Sequence, residues 1–574
     1  MKLPTSFPNP LQGARGLAAR AAIVQRFLVH SGVLTALSPR GVASFLKSAV
    51  SVGFGVHVPL FLHAANKPDK LALTGLDASG ERRLTYDQLR REINQLAHGL
   101  GELGVRPGDR VALMMPNCVE YMITHLALFT CGGSAVHVGY RLKSQEIAHI
   151  LGNARPTVVI VHHDYRDEMH AARVESGGPP DTQVIVVGAH DRPVAGGTTY
   201  EALLARQDDR NPPRWGKSRE GSTIVYTSGT TGNPKGATRP LRGTDLTTGL
   251  QFMTRVGMSH DDRHLAVCPM YHSAAPAMAG MAYTIGGSVV ILDRFDAENV
   301  LAVIERERIT CSFMVPTMLR RLAELPAEVR ARHDTSSLRW ILSGAAALST
   351  DTAVRFQDAF GPILYNFYGS TETGLVTLAE PEHHAAHPGT IGRALFGNDI
   401  RFLDEHGREV PTGEVGELYV QNGMLVEGYY GDRQASQEAL HDGYFSVGDM
   451  GRVDAQGFYY LASRKRDMVI SGGVNIYPRE IENLLDDHPD IVEVAIIGVP
   501  DEEWGESLEA FVVCRPGAEL SEADVIQICR DNLASYKRPR RVHFVDELPR
   551  NPTGKVLKRT LREWRAAMDQ PGES

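Results

Sequence analysis

Residues 226–237 read YTSGTTGNPKGA, a run of Ser, Thr and Gly that ends on Lys235. It resembles a nucleotide loop, and the question is whether it holds phosphate. Gly229, Gly232 and Gly236 let backbone N–H groups turn toward an anion, and Thr227, Ser228, Thr230 and Thr231 add hydroxyl donors. It is not a Walker A loop, which needs glycine directly before the lysine and Ser or Thr after it, whereas Lys235 lies between Pro234 and Gly236. Taken alone, such a cluster is more often a turn or a flexible surface loop. The rest of the chain has to decide.

The chain has 574 residues, length for about four domain-sized units. It is 43% hydrophobic and 22% charged, as ordinary globular enzymes are. Cys118, Cys131, Cys268, Cys311, Cys514 and Cys529 form no C-x-x-C pair, so neither a disulfide framework nor a zinc site is expected, and a reducing, cytoplasmic setting fits. A net charge of -8 argues against a general nucleic-acid partner, which needs a surplus of Lys and Arg. The charge is uneven. Residues 1–68 carry Lys2, Arg15, Arg20, Arg26, Arg40, Lys47 and Lys67 with no Asp or Glu. Residues 1–58 therefore read as a basic, apolar N-terminal extension. Three readings fit it: a peripheral amphipathic contact with anionic lipid, an organelle transit peptide, or a further helix packed on the fold. Its apolar stretches are interrupted by Gly, His, Ser and Lys47, so a membrane-spanning helix is weakly signalled.

Downstream, strand-like and helical patterns alternate. RVALMMP precedes CVEYMITHLALFTCGG, TVVIVHH follows SQEIAHILGNA, and SVVILD precedes AENVLAVIERERI. This is the pattern of βαβ units on parallel sheets. After about residue 395 the texture changes to short strands and turns, expected as a small β subdomain. From Arg466 a compact α+β pattern follows, with PREIENLLDDH and SEADVIQICRDNL as helices and VEVAIIGV and LEAFVVC as strands. The expected fold is α/β, with a large multi-subdomain region at 59–465 and a small α+β domain at 466–574.

Seven blocks occur in order: YTSGTTGNPKG, PMYH (269–272), SGAAAL (343–348), NFYGSTETG (366–374), GYFSVGD (443–449), SRKRDMVISGGVNIYPREIE (463–482) and NPTGKVLK (551–558). Together they resemble the adenylate-forming acyl-CoA synthetases of the ANL superfamily, from LTYDQL at residue 84 to Lys558. Within that superfamily the resemblance is nearest to bacterial fatty-acid CoA ligases. It implies a two-step reaction. A carboxylate attacks the α-phosphate of ATP to give acyl-AMP and pyrophosphate, and the thiol of coenzyme A then displaces AMP.

The resemblance also implies roles. Thr227, Ser228, Gly229, Thr230, Thr231, Gly232 and Lys235 would hold the β- and γ-phosphates. Tyr368 would stack on adenine, with Asn366, Gly369 and Ala345 in the adenine pocket. Thr371 would meet the α-phosphate, and Glu372 with Thr227 would hold Mg²⁺. Asp449 and Arg464 would bind the ribose. His272 would lie beside the reacting carboxylate, acting by position and hydrogen bonding, with the small residues after it bordering an apolar acyl tunnel. Lys555 would bridge carboxylate and α-phosphate during adenylation only, while neighbouring Lys558 and Arg559 read as solvated charges. The C-terminal domain would then rotate about Arg466 and present Gly472 and Gly473 to pantetheine.

Three positions depart from the family pattern: Arg466 where the hinge is commonly Asp or Lys, Ser463 where glycine commonly precedes the ribose-contacting Arg, and Ala345 where many relatives carry glycine. The expected substrate is a medium- or long-chain fatty acid, with an aryl acid the nearer rival. A carrier protein as acceptor, a catalytically silent acyl-adenylate-binding protein and homo-oligomer formation remain open alternatives.

Overall fold

The computed structural model describes residues 14–52, 57–77, 80–177, 182–188, 197–212, 222–227, 235–240, 246–426, 428–430, 432–471, 474–551 and 555–568. Strands and helices alternate through the first half of the chain as the apolar runs demand. Seven strands form the first sheet in the order Gly197–Thr199, Gln183–Val187, Val158–His162, Arg110–Met114, Ser134–His137, Ser222–Thr227 and Lys235–Pro240. All neighbours run parallel except the last two. The central strands bury both faces, which is why their sequences are apolar without alternation.

In the second sheet Leu71–Asp77, Ser288–Leu292, Arg263–Ala266, Cys311–Met314, Trp340–Ser343 and Leu364–Ser370 are parallel neighbours. Between the two sheets lies one apolar core that joins Leu113, Ala135 and Ile160 to Leu73, Val289 and Phe313. The helix Val119–Cys131 runs through this core, and all of its residues but Glu120 and Thr130 are buried. It stops where Gly132 takes a left-handed φ of 74°, which a glycine adopts without steric cost. The segment Ala274–Ile285 forms a second helix of this layer.

The β subdomain is continuous with the second sheet rather than separate from it. Antiparallel strands Gly374–Ala379 and Thr390–Ala394 extend the parallel edge, and Thr390–Ala394 pairs in turn with Tyr459–Arg464. Turn-rich texture after residue 395 therefore marks a change from parallel to antiparallel pairing, which begins at Gly374. The C-terminal region has its own sheet, Val474–Ile476, Val469–Ser471, Gly505–Cys514 and Ile491–Asp501, with Arg541–Phe544 parallel to Gly505–Cys514. Helices Pro478–Asp486, Glu522–Asn532 and Lys558–Met568 belong to the same region, and apolar clusters fill it.

The N-terminal segment forms helices Ala14–His30, Pro39–Val52 and Val58–Asn66. Phe27 and Val33 join the main core, and the Ser31 carbonyl accepts from the His260 N–H at 2.9 Å. This part of the extension is packed on the fold. No helix among the described residues is long and apolar enough to cross a membrane.

Gly369 sits where the hairpin of Leu364–Ser370 and Gly374–Ala379 shifts register. A Cβ there would lie 1.9 Å from the Gly374 carbonyl oxygen. Backbone oxygen cannot step aside as a side-chain tip can, so Gly369→Ala must push the hairpin apart. A loss of about 1–3 kcal/mol is expected, the usual cost of overpacking. It should appear as a lower melting temperature together with slower acyl-AMP formation, whereas an unchanged melting temperature would contradict the reading.

Candidate active site

Three parallel strands of the second sheet end at one edge, and the segments that follow them carry motif residues. His272 follows Arg263–Ala266, Ala345 follows Trp340–Ser343, and Thr371 and Glu372 follow Leu364–Ser370. Ligands of α/β sheets bind at this carboxyl edge. Asn366, on the last of these strands, is buried opposite Ser343. Ala345 has φ 67°, a left-handed conformation that costs an L-residue about 1–2 kcal/mol. Strain at this position is retained beside the site, where glycine would remove it.

The polar centre is the Asp449 carboxylate, 6% exposed. One oxygen accepts from the Tyr368 hydroxyl at 2.7 Å, and the other pairs with Arg464 Nε at 2.6 Å. Burial and the Asp449 charge push the Tyr368 phenol well above its usual range, so it stays protonated as the donor. Asp449 and Arg464 are also register partners in adjacent strands, so the backbone itself brings the pair together. Both oxygens thus have a protein partner, and their remaining lone pairs can accept from hydroxyls.

Glu372 is buried at the turn after Leu364–Ser370, where Ser370 Oγ accepts from the Glu372 and Thr373 N–H groups. The phenol of Tyr429 hydrogen-bonds to Glu372. Tyr429 and Tyr430 also tie the hairpin of Ser222–Thr227 and Lys235–Pro240 to this point: Ala237 bridges Tyr429, and the Tyr430 N–H donates to the Gly236 carbonyl at 2.6 Å. Sequence reasoning passed over Tyr429, because its contact with Glu372 is made only in the fold. Thr227 and Lys235 face each other at the mouth of the same hairpin. Ser228, Gly229, Thr230, Thr231 and Gly232 lie outside the described residues, as do Gly472 and Gly473.

His272 lies in the PMYH turn. Its neighbour Ser273 places Oγ 3.3 Å from Thr371 Oγ1, which joins the PMYH turn to the STET turn. Burial lowers the His272 imidazole to about 4, so it is neutral at physiological pH.

Lys555 reaches this centre from the C-terminal region. Its loop is closed by a reciprocal pair: the Lys555 N–H donates to Asn551 Oδ1 at 2.8 Å, and the Asn551 N–H donates to the Lys555 carbonyl at 2.9 Å. The ammonium is within electrostatic reach of Arg464, Asp449, Arg466 and Asp467. Burial, followed by repulsion from Arg464, lowers its pKa to about 8. The C-terminal region is held in this orientation by contacts with the helix Pro316–Ala323 and its cap. Arg320 Nη1 donates to the Val492 carbonyl at 3.1 Å and pairs with Glu493 at 3.4 Å, and Arg515 pairs with Glu324 at 3.2 Å.

One sequence expectation is corrected here. Lys558 is not a solvated charge, because its ammonium lies 2.6 Å from the buried Glu482 carboxylate inside the C-terminal region. A buried carboxylate needs such a partner, and sequence spacing gives no sign of one so distant. The Arg559 side chain is 77% exposed and pairs with nearby Glu563, as a surface charge does.

A buried acid–arginine pair, a carboxylate at a strand end and a lysine delivered by a second domain define an adenylate-forming enzyme. The chain belongs to the AMP-binding enzyme family, whose profile matches residues 60–430, and the AMP-binding enzyme C-terminal domain matches residues 480–555. It is 36% identical to feruloyl-CoA synthase of Amycolatopsis sp over 84% of this chain and 94% of that one. It is 33% identical to the long-chain-fatty-acid–CoA ligase FadD13 of Mycobacterium tuberculosis, over 85% and 94%. The crystal structure of ATP-bound MatB from Rhodopseudomonas palustris superposes with a TM-score of 0.78 at 30% identity, over 88% of this chain and 97% of that one. The protein is an AMP-forming acid–CoA ligase.

The depressed Lys555 has a kinetic consequence. An amine at about 8 is cationic below that pH and neutral above it, so a role for its charge in acyl-AMP formation requires kcat/KM for that step to fall as pH rises through about 8. The decline should approach tenfold per pH unit, the slope of one essential proton. A profile flat to pH values well above 9 would show that the Lys555 charge is not required.

Proposed function

We propose that the chain activates a carboxylic acid with an apolar body as its acyl-AMP and transfers the acyl group to coenzyme A, the two steps using different orientations of the C-terminal domain about Arg466. The observation that carries this reading is the arrival of Lys555 beside the Asp449–Arg464 pair. In this orientation the lysine can neutralise charge that gathers between carboxylate and α-phosphate, and stabilisation limited to that moment raises the rate. Asp449 and Arg464 hold the ribose, while Tyr368 and Asn366 wall the adenine. Thr371 meets the α-phosphate, and the hairpin loop from Thr227 to Lys235 meets the departing pyrophosphate. Glu372 is a hard oxygen donor at the strand end and suits Mg²⁺, with Thr227 as a second oxygen; the ion when bound supplies positive charge to the phosphates. His272, neutral and rigidly placed, orients the carboxylate. Gly472 and Gly473 border the pantetheine path after rotation.

A fatty acid of medium or long chain and an aryl acid both suit the small residues that follow His272. Identities of 36% to a feruloyl-CoA synthase and 33% to a long-chain-fatty-acid ligase do not rank the two. AMP release across a panel of both acid classes, with and without coenzyme A, tests the reaction. Continuous AMP formation is expected only with coenzyme A present, since acyl-AMP otherwise stays bound. Equal turnover without coenzyme A would contradict thioester formation, and activity confined to short aromatic acids would remove the fatty-acid reading.

The N-terminal helices support a further part of the proposal, a peripheral contact with anionic lipid. Leu17 is 70% exposed, Val29 69% and Leu46 61%, while Arg26 and Arg40 are exposed among them and no acid occurs before Asp69. Apolar side chains set among cations suit such a surface. The full chain should sediment with phosphatidylglycerol vesicles, and Leu17→Gln with Val29→Gln should weaken this without loss of turnover on a soluble acid. Equal sedimentation of both forms would contradict it.

A further inference from the structure

Among the described residues, the polar side-chain atoms buried without a hydrogen-bond partner include His125 Nδ1, His137 Nε2, Tyr271 OH and His272 Nε2. These four form two packed pairs, His125 with His137 and Tyr271 with His272. Tyr121 and His125 lie one turn apart on the same face of the helix Val119–Cys131. Both pack on His137, the last residue of the strand Ser134–His137, with ring centroids 5.8 Å and 5.4 Å from it. The Tyr121 hydroxyl bonds His137 Nδ1. With the phenol donating, the proton of the neutral ring sits on Nε2, which is the unpartnered atom. At the other end of the row, the rings of Tyr271 and His272 are 4.2 Å apart.

The row starts at the reaction centre, since Ser273, next to His272, touches Thr371. It then runs into the apolar core. His137 feels the charge states of both His125 and His272, so the three rings form one electrostatic neighbourhood. Burial lowers His125 and His272 to about 4 and holds His137 well below its ordinary value. All three are therefore neutral, each offering one N–H donor and one acceptor nitrogen. Each buried polar atom without a partner calls for an explanation, and a polar occupant between His125 and His137 supplies one for both.

We propose that His125 and His137 are specificity-determining residues, selecting acids that carry a hydroxyl or carbonyl group on the part of the acyl body remote from the carboxylate and discriminating against all-hydrocarbon tails. The inference rests on the acid–CoA ligase reading and narrows its substrate class. A hydroxyl can accept from His137 Nε2–H and donate to His125 Nδ1, whereas a methyl group in the same place leaves both without partners. Sites built to bond a substrate hydroxyl reject the analogue that lacks it far more strongly than apolar pockets reject an extra methylene.

The test compares isosteric acids in the AMP-forming assay with coenzyme A: para-hydroxy against para-methyl 3-phenylpropenoic acid, and ω-hydroxy against methyl-terminated alkanoic acids of equal heavy-atom count. In at least one pair the hydroxyl acid should exceed its partner in kcat/KM by about 10²-fold or more. In His137→Leu, and separately in His125→Leu, that ratio should fall toward unity. The second variant keeps the test decisive if loss of the Tyr121 bond unfolds the first. Equal kcat/KM within every pair would mean that water alone satisfies the row, and would overturn the inference. So would a preference that survives in both variants. Absence of AMP with every acid would instead contradict the ligase reading and remove this inference with it.

Discussion

The Asp449 carboxylate binds three strands into one site. It takes the Tyr368 hydroxyl from the last parallel strand of the second sheet and the Arg464 guanidinium from its own antiparallel partner. Breaking a buried pair by removing one member typically costs about 3–5 kcal/mol, because the other charge is left without compensation. Arg464 is also the residue from which the chain leaves the β subdomain through the short turn Lys465–Asp467. The same interaction that shapes this polar centre therefore anchors the origin of the C-terminal domain, and sets where Lys555 arrives.

By contrast, the contacts that hold the C-terminal domain against the helix Pro316–Ala323 are partly exposed ion pairs at 3.2–3.4 Å. Such pairs are worth about 0–1 kcal/mol each. A firm anchor at Arg464 and a weak seam at Glu493 and Arg515 are what a domain needs if it is to turn without detaching. Lys555 meets its electrostatic cost in this orientation, where burial and Arg464 both oppose its charge. An anionic ligand between them removes that opposition.

Much of this was legible in the sequence, for definite reasons. Parallel strands buried on both faces read as continuous apolar runs, so Arg110–Met114, Val158–His162 and Ser288–Leu292 fall where RVALMMP, TVVIVHH and SVVILD place them. Ordered motifs brought Tyr368, Asp449, Arg464 and Lys555 to one centre. What stayed hidden depends on contacts between residues far apart in the chain. Tyr429 meets Glu372 only once the hairpin folds over, Lys558 finds Glu482 across the C-terminal domain, and His125 reads as one more core residue until His137 is placed against it. The N-terminal helices were ambiguous because a packed helix and a lipid-facing one share their composition; Phe27 and Val33 show that part of the segment is packed.

The central claim is that Lys555 serves acyl-AMP formation alone. It is tested by running the two half-reactions separately on Lys555→Ala, with circular dichroism to verify folding. Acyl-AMP formation should fall by about 10²–10³, the usual worth of one preorganised stabilising contact, while thioester formation from supplied acyl-AMP is retained. An equal fall in both half-reactions would contradict the claim, and with it the use of two domain orientations.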